Sequence, residues 1–378
     1  MDFCALNRAY TDTVSSAILD KTGIAPDHII IACSHTHSGP AGVGYFNESE
    51  HELLESIKEK LVSALDQLVK NLKPVAVGCA SGKEDTISHY RRFLDADGKV
   101  VMIWEQDPVA NNLICQGEID PEVGVLKVVD AQNPDKIMTI LFNHAGHPNV
   151  MSGDNYMISA DYPGVTQKAV EDEFGAVAMF VNGAQGTMDI DNWKYRDWEG
   201  MEYIGSTLAK AVSETAKTVK PTDSAVIRGS FAEYEIPARQ VSDELLKWAE
   251  DIIEQTGGKV QPLADGVGDD YKALLYKNLR NDQDKPIQMK QICFAIGDTA
   301  FISFPGELFT EIGMQIKAES PFAHTYIIGL ANGSEGYFPT RKAISQGGYE
   351  VDTRGSDDSA EEIIVEKSLY LLNIVYGM

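Results

Sequence analysis

Short apolar runs alternate along the chain with amphipathic stretches of helical period. Residues 8–22 carry apolar side chains at helical spacing and are followed by Gly23, a pattern that predicts an amphipathic helix. Residues 28–33 are a nearly continuous apolar run rich in β-branched side chains, which predicts a strand buried on both faces. A long helix at residues 51–72 and a strand at residues 75–79 are predicted next, so helices and strands alternate.

The same alternation continues through the rest of the chain. Further buried strands are predicted at residues 137–142, 176–181, 300–304 and 325–330. Helices are predicted at residues 162–173, 200–219, 243–256, 307–318 and 359–374. This order favours an α/β fold with a mixed sheet core and covering helices. No linker-like stretch or block of charge divides the sequence, so residues 1–378 are expected to form a single large domain.

Composition and charge narrow the classes of partner. The chain has 378 residues, of which 43% are hydrophobic and 24% charged, as in ordinary globular proteins. Its 57 acidic and 32 basic side chains give a formal net charge of −25, which disfavours nucleic acid and anionic membrane surfaces as partners. The five dispersed cysteines predict buried thiols rather than a disulfide framework.

Targeting signals are not evident in the sequence. No stretch approaches the roughly 20 apolar residues of a membrane-spanning helix, so an integral membrane segment is not expected. Residues 1–8 lack the basic start and apolar core of a signal peptide. A cytoplasmic location is therefore expected for the sequence as it stands, and a secreted one if an upstream segment carries a signal.

Polar clusters follow the ends of the predicted strands. They lie at residues 34–40, 143–148, 182–186, 305–307 and 332–337. In open α/β sheets, ligands bind at this edge of the strands. Four of the eight histidines fall in the first two clusters, and imidazoles and carboxylates are the ligands of catalytic zinc. The pattern predicts a zinc site with a position left for water.

Individual residues in these clusters allow more than one interpretation. In extended backbone His35 and His37 project to the same side, so one can bind a metal while the other handles protons, or the pair are simply exposed or core-satisfied imidazoles. Glu307 is a candidate carboxylate ligand, or an acid favoured by the first turn of a helix. The glycines of residues 182–186 let backbone N–H groups approach an oxyanion, or simply form a tight turn.

Several motifs match one known family in order along nearly the whole chain. They are Ser-His-Thr-His-Ser-Gly-Pro at 34–40, Ser-His-Tyr-Arg-Arg at 88–92 with Asp-Gly at 97–98, His-Pro at 147–148 with Ser-Ala-Asp-Tyr-Pro-Gly at 159–164, Pro-Gly-Glu at 305–307, and 332–340 with Gly-Gly-Tyr-Glu at 347–350. Together they resemble the neutral/alkaline ceramidase family, zinc amidases that cleave the N-acyl bond of ceramide. The first motif is the most specific match, with only its first threonine replaced.

The resemblance implies a set of site residues and a reaction. The implied zinc ligands are His35, His147, Glu307 and Tyr337. His37 is the implied acid/base and Arg91, rather than Arg92, the implied arginine beside the substrate; the match also selects His147 over His144. The implied function is hydrolysis of an N-acyl, ceramide-like amide by zinc-activated water.

Two departures from the family pattern concern mechanism and extent. Where the family has Asn-x-Gly-Asp-Val-Ser-Pro-Asn, with a serine often proposed as nucleophile, residues 186–191 read Gly-Thr-Met-Asp-Ile-Asp, with Asp189 at the serine position. Attack by zinc-activated water is therefore expected. The chain is also expected to lack the leading strand segment of the family and the C-terminal sandwich domain of its large members.

Two other functions remain open from the sequence. No apolar insertion suited to lipid extraction is evident. A zinc amidase or esterase acting on a smaller polar acyl substrate is therefore the first alternative. The changed segment at residues 186–191 motivates a metal-retaining, non-catalytic homologue. The sequence does not determine the acyl chain length or the oligomeric state.

Overall fold

A computed structural model describes residues 1–42, 50–151, 155–190, 196–263 and 265–378. Its helices are α1 (Arg8–Thr22), α2 (His51–Lys70), α3 (Asp161–Phe174), α4 (Trp198–Thr218), α5 (Asp243–Thr256), α6 (Asp269–Asp282), α7 (Thr310–Glu319), α8 (Arg341–Gln346), α9 (Tyr349–Asp352) and α10 (Ala360–Gly377). Its strands are β1 (Val75–Lys83), β2 (His89–Tyr90), β3 (Arg92–Leu94), β4 (Val100–Met102), β5 (Ile114–Cys115), β6 (Glu122–Asp130), β7 (Asn133–His144), β8 (Val177–Asn182), β9 (Met188–Asp189), β10 (Ile227–Ile236), β11 (Ile287–Ile296), β12 (Thr299–Ser303), β13 (Glu307–Leu308), β14 (His324–Ile328) and β15 (Tyr337–Phe338).

Two four-stranded sheets share one pattern of strand directions. The first has the order β1-β6-β7-β8 and the second β10-β11-β12-β14. In each sheet the first two neighbouring pairs are antiparallel and the last pair is parallel. Both sheets are therefore mixed, as predicted.

The sheets pack face to face between two layers of helices. In β7, Leu141 packs in the cluster between the sheets, while Ile140 and Phe142 pack in the cluster that includes α3 and α4. In β12, Phe301 lies between the sheets and Ile302 packs in the cluster that includes α7 and α10. Because successive strand residues point to opposite faces, this alternation defines a helix–sheet–sheet–helix arrangement.

The C-terminal ends of both parallel strand pairs meet at one edge. The Asn143 side chain donates to the Val181 carbonyl at 3.0 Å and to the Ile327 carbonyl at 2.9 Å, which joins the two sheets there. The backbone N–H of Gly329 donates to the Asn182 carbonyl at 2.9 Å. The polar clusters after these strands are thereby brought together.

The strand predicted at residues 28–33 is wrong. Pro26–His28 forms a single 3-10 turn, and residues 29–33 are extended but make only an isolated bridge between Ala32 and Ala331. The Asn332 side chain takes the place of a strand partner, accepting from Ile31 N at 2.6 Å and donating to the Ile29 carbonyl at 2.8 Å. The apolar run reflects burial on both sides without membership of a sheet. One set of side chains packs against α1 and α2 and the other against the cluster between the sheets: Ile29, Ile31 and Cys33 in the first, Ile30 and Ala32 in the second.

Other expectations are corrected in smaller ways. The helix predicted from residue 307 begins at Thr310, because Glu307 belongs to β13. Cys115 is exposed, whereas Cys33 and Cys293 are buried as expected, and all five thiols are free. None of the helices in the described part of the chain has the length and apolarity needed to cross a bilayer.

Candidate metal centre

His35 follows the extended segment at residues 29–33, and a hydrogen bond of its ring fixes its orientation. Its φ of +73° lies in the left-handed region, which few residues other than glycine adopt, so the extended backbone expected at this residue is wrong. Its Nδ1 lies 2.6 Å from the Cys4 carbonyl oxygen. Because a carbonyl can only accept, Nδ1 carries the proton and Nε2 keeps a lone pair.

His147 follows β7 and is held in the same way. Its Nδ1 lies 2.8 Å from the Met188 carbonyl oxygen, which again leaves the lone pair on Nε2. His144 lies apart, with Nδ1 3.0 Å from the Glu122 carbonyl and Nε2 3.2 Å from the Ser88 hydroxyl. The structure therefore places His147, and not His144, at the candidate site.

Glu307 and Tyr337 are brought together by a two-residue parallel pair of strands. In the pairing of β13 with β15 these two residues are direct partners, and Glu307 N donates to the Gly336 carbonyl at 2.9 Å. The Tyr337 hydroxyl lies 3.4 Å from His147 Nε2. All four ligands implied by the family resemblance are thus adjacent.

The ring nitrogens and the carboxylate converge as acceptors. Glu307 Oε2 lies 3.1 Å from His147 Nε2 and 3.4 Å from His35 Nε2, and the ligand atoms of all three residues lie within 4.8 Å of one another. A ring whose Nδ1 proton bonds to a carbonyl has no proton to offer this carboxylate when it is neutral, and then its Nε2 lone pair faces the carboxylate oxygen. Lone pairs facing one another repel, so the arrangement fits a cation held between them.

The charges in the cluster distinguish His35 from His147. Burial raises the pKa of Glu307, but His35 and His147 outweigh it and hold this pKa well below its usual range. Burial, followed by the Arg91 guanidinium, lowers the pKa of His147. Burial also lowers the pKa of His35, but Cys4 and Glu307 outweigh it and raise this pKa well above its usual value. At His35 a proton and a metal cation therefore compete for one position.

His37 lies at the solvent side of the cluster. Its side chain is exposed, its backbone N donates to the Pro148 carbonyl at 2.9 Å, and its Nε2 lies 3.4 Å from His35 Nε2. The protein packed around the ring, then His35 and His147, lower the pKa of His37 well below its usual value. A neutral ring in contact with solvent is suited to accept a proton.

The two arginines of the sequence motif have different environments. Arg91 Nε donates to Glu350 Oε1 at 2.8 Å and Nη1 lies 3.0 Å from His147 Nε2, while Nη2 has no hydrogen-bond partner among the described residues. Arg92 instead bonds to Glu350 Oε2 and, at 2.7 Å, to the Gly347 carbonyl. Only Arg91 combines contact with the cluster and a free donor nitrogen.

Two backbone N–H groups of the glycine-rich turn at residues 182–186 donate to carbonyls outside the turn. Gly183 N donates to the His144 carbonyl at 3.1 Å and Gly186 N to the Leu308 carbonyl at 2.8 Å. A Cβ on Gly186 would lie 2.7 Å from that Leu308 oxygen, so close backbone approach requires glycine there. Both N–H groups are therefore occupied, and neither is available to an oxyanion.

Asp189 is buried at the position of the family serine. It lies in β9, where it pairs with His89 and bridges to His147, and its side chain is inaccessible to solvent. Together with Tyr337 and Glu350, its charge favours the cationic form of the buried Arg91. This environment suits a counter-charge more than an acyl nucleophile. Asp191, at the end of the altered segment, lies outside the described residues.

Several contributors to the site were not predicted from the sequence. The carbonyls of Cys4 and Met188 fix the two rings, but backbone groups leave no residue-type signal. Trp104 packs on Arg91 with 5.3 Å between the guanidinium carbon and the ring centroid, and it belongs to no motif. Glu350 lies within a matched motif, where its pairing with two arginines could be found only from the fold.

The fold and the cluster define a helix–sheet–sheet–helix protein with a candidate metal centre where its two sheets meet. No protein-family model matches the sequence. The chain has the fold of the neutral ceramidases: it superposes on the crystal structure of neutral ceramidase from Pseudomonas aeruginosa with a TM-score of 0.69 at 18% identity, covering 98% of this chain and 65% of that one.

A second solved structure gives the same result. It is a ceramidase complexed with C2, with a TM-score of 0.69, 16% identity and coverage of 99% of this chain and 66% of that chain. The chain thus spans slightly less than two thirds of the length of the structures it matches. At these identities the likeness concerns the fold.

Proposed function

We propose that this protein is a zinc-dependent amidohydrolase that cleaves the N-acyl bond of a ceramide-like substrate. The observation that carries the proposal is the spacing of the convergent donors: 3.1 and 3.4 Å from Glu307 Oε2 to the two Nε2 atoms, and 3.4 Å from the Tyr337 hydroxyl to His147. Tetrahedral zinc with bonds of about 2.0–2.1 Å separates its donors by about 3.3–3.4 Å. The fold shared with neutral ceramidase supports amide hydrolysis as the reaction.

The roles of the surrounding side chains follow from their positions. A bound zinc ion would lower the pKa of a coordinated water to about 7 and polarise the acyl carbonyl. His37, exposed and neutral, takes the proton of the attacking water and returns it to the leaving amine. Arg91 donates from its unpartnered Nη2 to the acyl oxygen as negative charge develops there.

Hydrolysis of N-acyl amides of graded chain length tests the proposed function. For a lipid-type substrate we expect kcat/KM to rise by about two- to fourfold for each methylene that becomes buried, until the pocket is filled. Faster hydrolysis of short polar acyl compounds would instead select the smaller-substrate alternative. Failure to hydrolyse any member of an amide and ester panel would contradict the proposed function.

Substitution His37→Asn tests the proton-transfer role. We expect kcat to fall by at least about 100-fold while bound zinc is unchanged, because this ring is not one of the proposed ligands. His51→Asn, which changes an exposed histidine at the start of α2, is the matched control. Loss of zinc from the His37 variant would show that the ring is a ligand, and full activity would exclude it as the acid/base.

A further inference from the structure

Three consecutive large apolar side chains project into solvent. Tyr156, Met157 and Ile158, which we call the apolar tip, are 92%, 66% and 86% exposed. Single exposed apolar residues are ordinary on protein surfaces, but a contiguous group of this size points to a binding function. Nothing in the proposed reaction chemistry uses these side chains.

The apolar tip is held in a defined shape. The Asn155 side chain accepts from Met157 N at 3.1 Å and donates to the Met157 carbonyl at 2.9 Å, which closes a turn around Tyr156. The tip is therefore ordered before it meets a partner. Such preorganisation reduces the entropy lost on binding.

Residues 155–159, which carry the apolar tip, are attached at both ends beside the candidate metal centre. At one end Asn155 Nδ2 donates to the Ser38 hydroxyl at 3.2 Å, and at the other Ser159 N donates to the Ser38 carbonyl at 2.9 Å. The Thr36 hydroxyl donates to the Ser159 carbonyl at 2.7 Å. These bonds involve the residues on either side of His37, so the apolar tip is anchored next to the exposed histidine of the cluster.

Shape and charge indicate the kind of partner. High exposure of all three side chains means that the tip protrudes rather than lining a groove, which suits insertion into a deformable apolar medium. Residues 155–159 contain no basic side chain and the whole chain carries a net charge of −25, so anionic lipid surfaces are disfavoured. A tyrosine at the edge of the tip suits the boundary between headgroups and acyl chains.

We propose that the apolar tip inserts into the surface of zwitterionic lipid aggregates and brings the site to substrates embedded there. This inference rests on the proposed function for its substrate, but its binding step can be measured separately. The tip also changes an expectation from the sequence, in which no apolar feature suited to lipid extraction was evident.

Binding to phosphatidylcholine vesicles tests the proposal directly. In the variant Tyr156→Ser/Met157→Ser/Ile158→Ser, vesicle affinity and the hydrolysis of a long-chain N-acyl amide embedded in the vesicles are each expected to fall at least about tenfold. Hydrolysis of a water-soluble short-chain amide is expected to stay within about twofold, since the tip does not touch the reacting atoms. Ile158→Trp is expected to bind vesicles more tightly than the wild type.

The matched control is Leu72→Ser, which removes an apolar side chain that is 80% exposed. Leu72 precedes β1, whose first residue Val75 pairs with Asp130, and Asp130 pairs with Asn133 at the start of β7. The control therefore lies at the opposite end of the sheet from the site and should bind vesicles like the wild type.

Vesicle binding separates this inference from the proposed function. Loss of vesicle binding in the triple variant supports the apolar tip even if no amide is hydrolysed. Unchanged vesicle binding in that variant overturns the inference whatever the enzyme activity. Tighter, salt-sensitive binding to anionic vesicles overturns it also, because charge and not apolar insertion would then drive association.

Discussion

Replacement of Glu307 by glutamine is expected to remove both bound zinc and amide hydrolysis while leaving the fold intact. The change deletes the carboxylate that faces both ring nitrogens at 3.1 and 3.4 Å and puts an amide in its place. We expect zinc affinity to fall by at least about 100-fold. We expect kcat/KM to fall by at least about 10³-fold, equal to about 4 kcal/mol of transition-state stabilisation.

The control for this experiment is Glu335→Gln on the loop that carries Tyr337. Glu335 is a partly buried acid whose backbone N donates to the Pro305 carbonyl at 2.9 Å, and its side chain is not in the metal-binding group. Zinc content and activity should both survive this change. If the Glu307→Gln protein keeps its zinc and its activity, Glu307 is not a zinc ligand.

Replacement of Glu350 by alanine is expected to have the largest effect on stability. This fully buried carboxylate receives hydrogen bonds from Arg91 at 2.8 Å and from Arg92, and both guanidinium groups are buried as well. Its loss leaves two buried cations without their shared counter-charge. Breaking a buried pair in this way costs about 3–5 kcal/mol, which should appear as a lower midpoint of urea unfolding.

Asp352→Asn in the same short helix is the matched control. Asp352 pairs with Lys272 at 3.0 Å, and both side chains are partly exposed. Such a pair contributes about 1 kcal/mol or less. Equal destabilisation by Glu350→Ala and Asp352→Asn would contradict the central structural role assigned to Glu350.

Elements with complete local signals were predictable from the sequence. The helix expected at residues 8–22 is α1, because Asn7 caps its first turn by accepting from Tyr10 N at 2.8 Å and Gly23 ends it at φ +79°. The buried strands predicted at residues 137–142, 176–181, 300–304 and 325–330 correspond to β7, β8, β12 and β14 within a few residues. Burial on both faces gives β12 and β14 their continuous apolar runs.

Three strands of the two four-stranded sheets were missed, namely β6, β10 and β11. Along β10 exposed residues alternate with partly buried ones, and no continuous apolar run marks the strand. Its neighbour β11 was missed as well, so the second four-stranded sheet could not be foreseen. The division of the core into two facing sheets depends on long-range pairing, which a local pattern does not encode.

Part of the candidate site was predictable from the sequence, and part depends on the fold. Motif order placed His35, His147, Glu307 and Tyr337 in one group, and the structure brings them together. Sequence could not indicate the left-handed backbone at His35, because this conformation is enforced by contacts with residues distant in the chain. The exposure of the apolar tip is likewise a property of the fold, since Tyr-Met-Ile in sequence equally suits a buried segment.

Metal analysis of the purified chain tests the central claim most directly. We predict about one zinc ion per chain, loss of amide hydrolysis when a chelator removes it, and recovery of both when zinc is returned. Measured beside the wild type, the Glu307→Gln protein should remain without zinc under the same conditions. Full amide hydrolysis by a chain with no detectable bound metal would contradict the assignment of this cluster as a catalytic zinc centre.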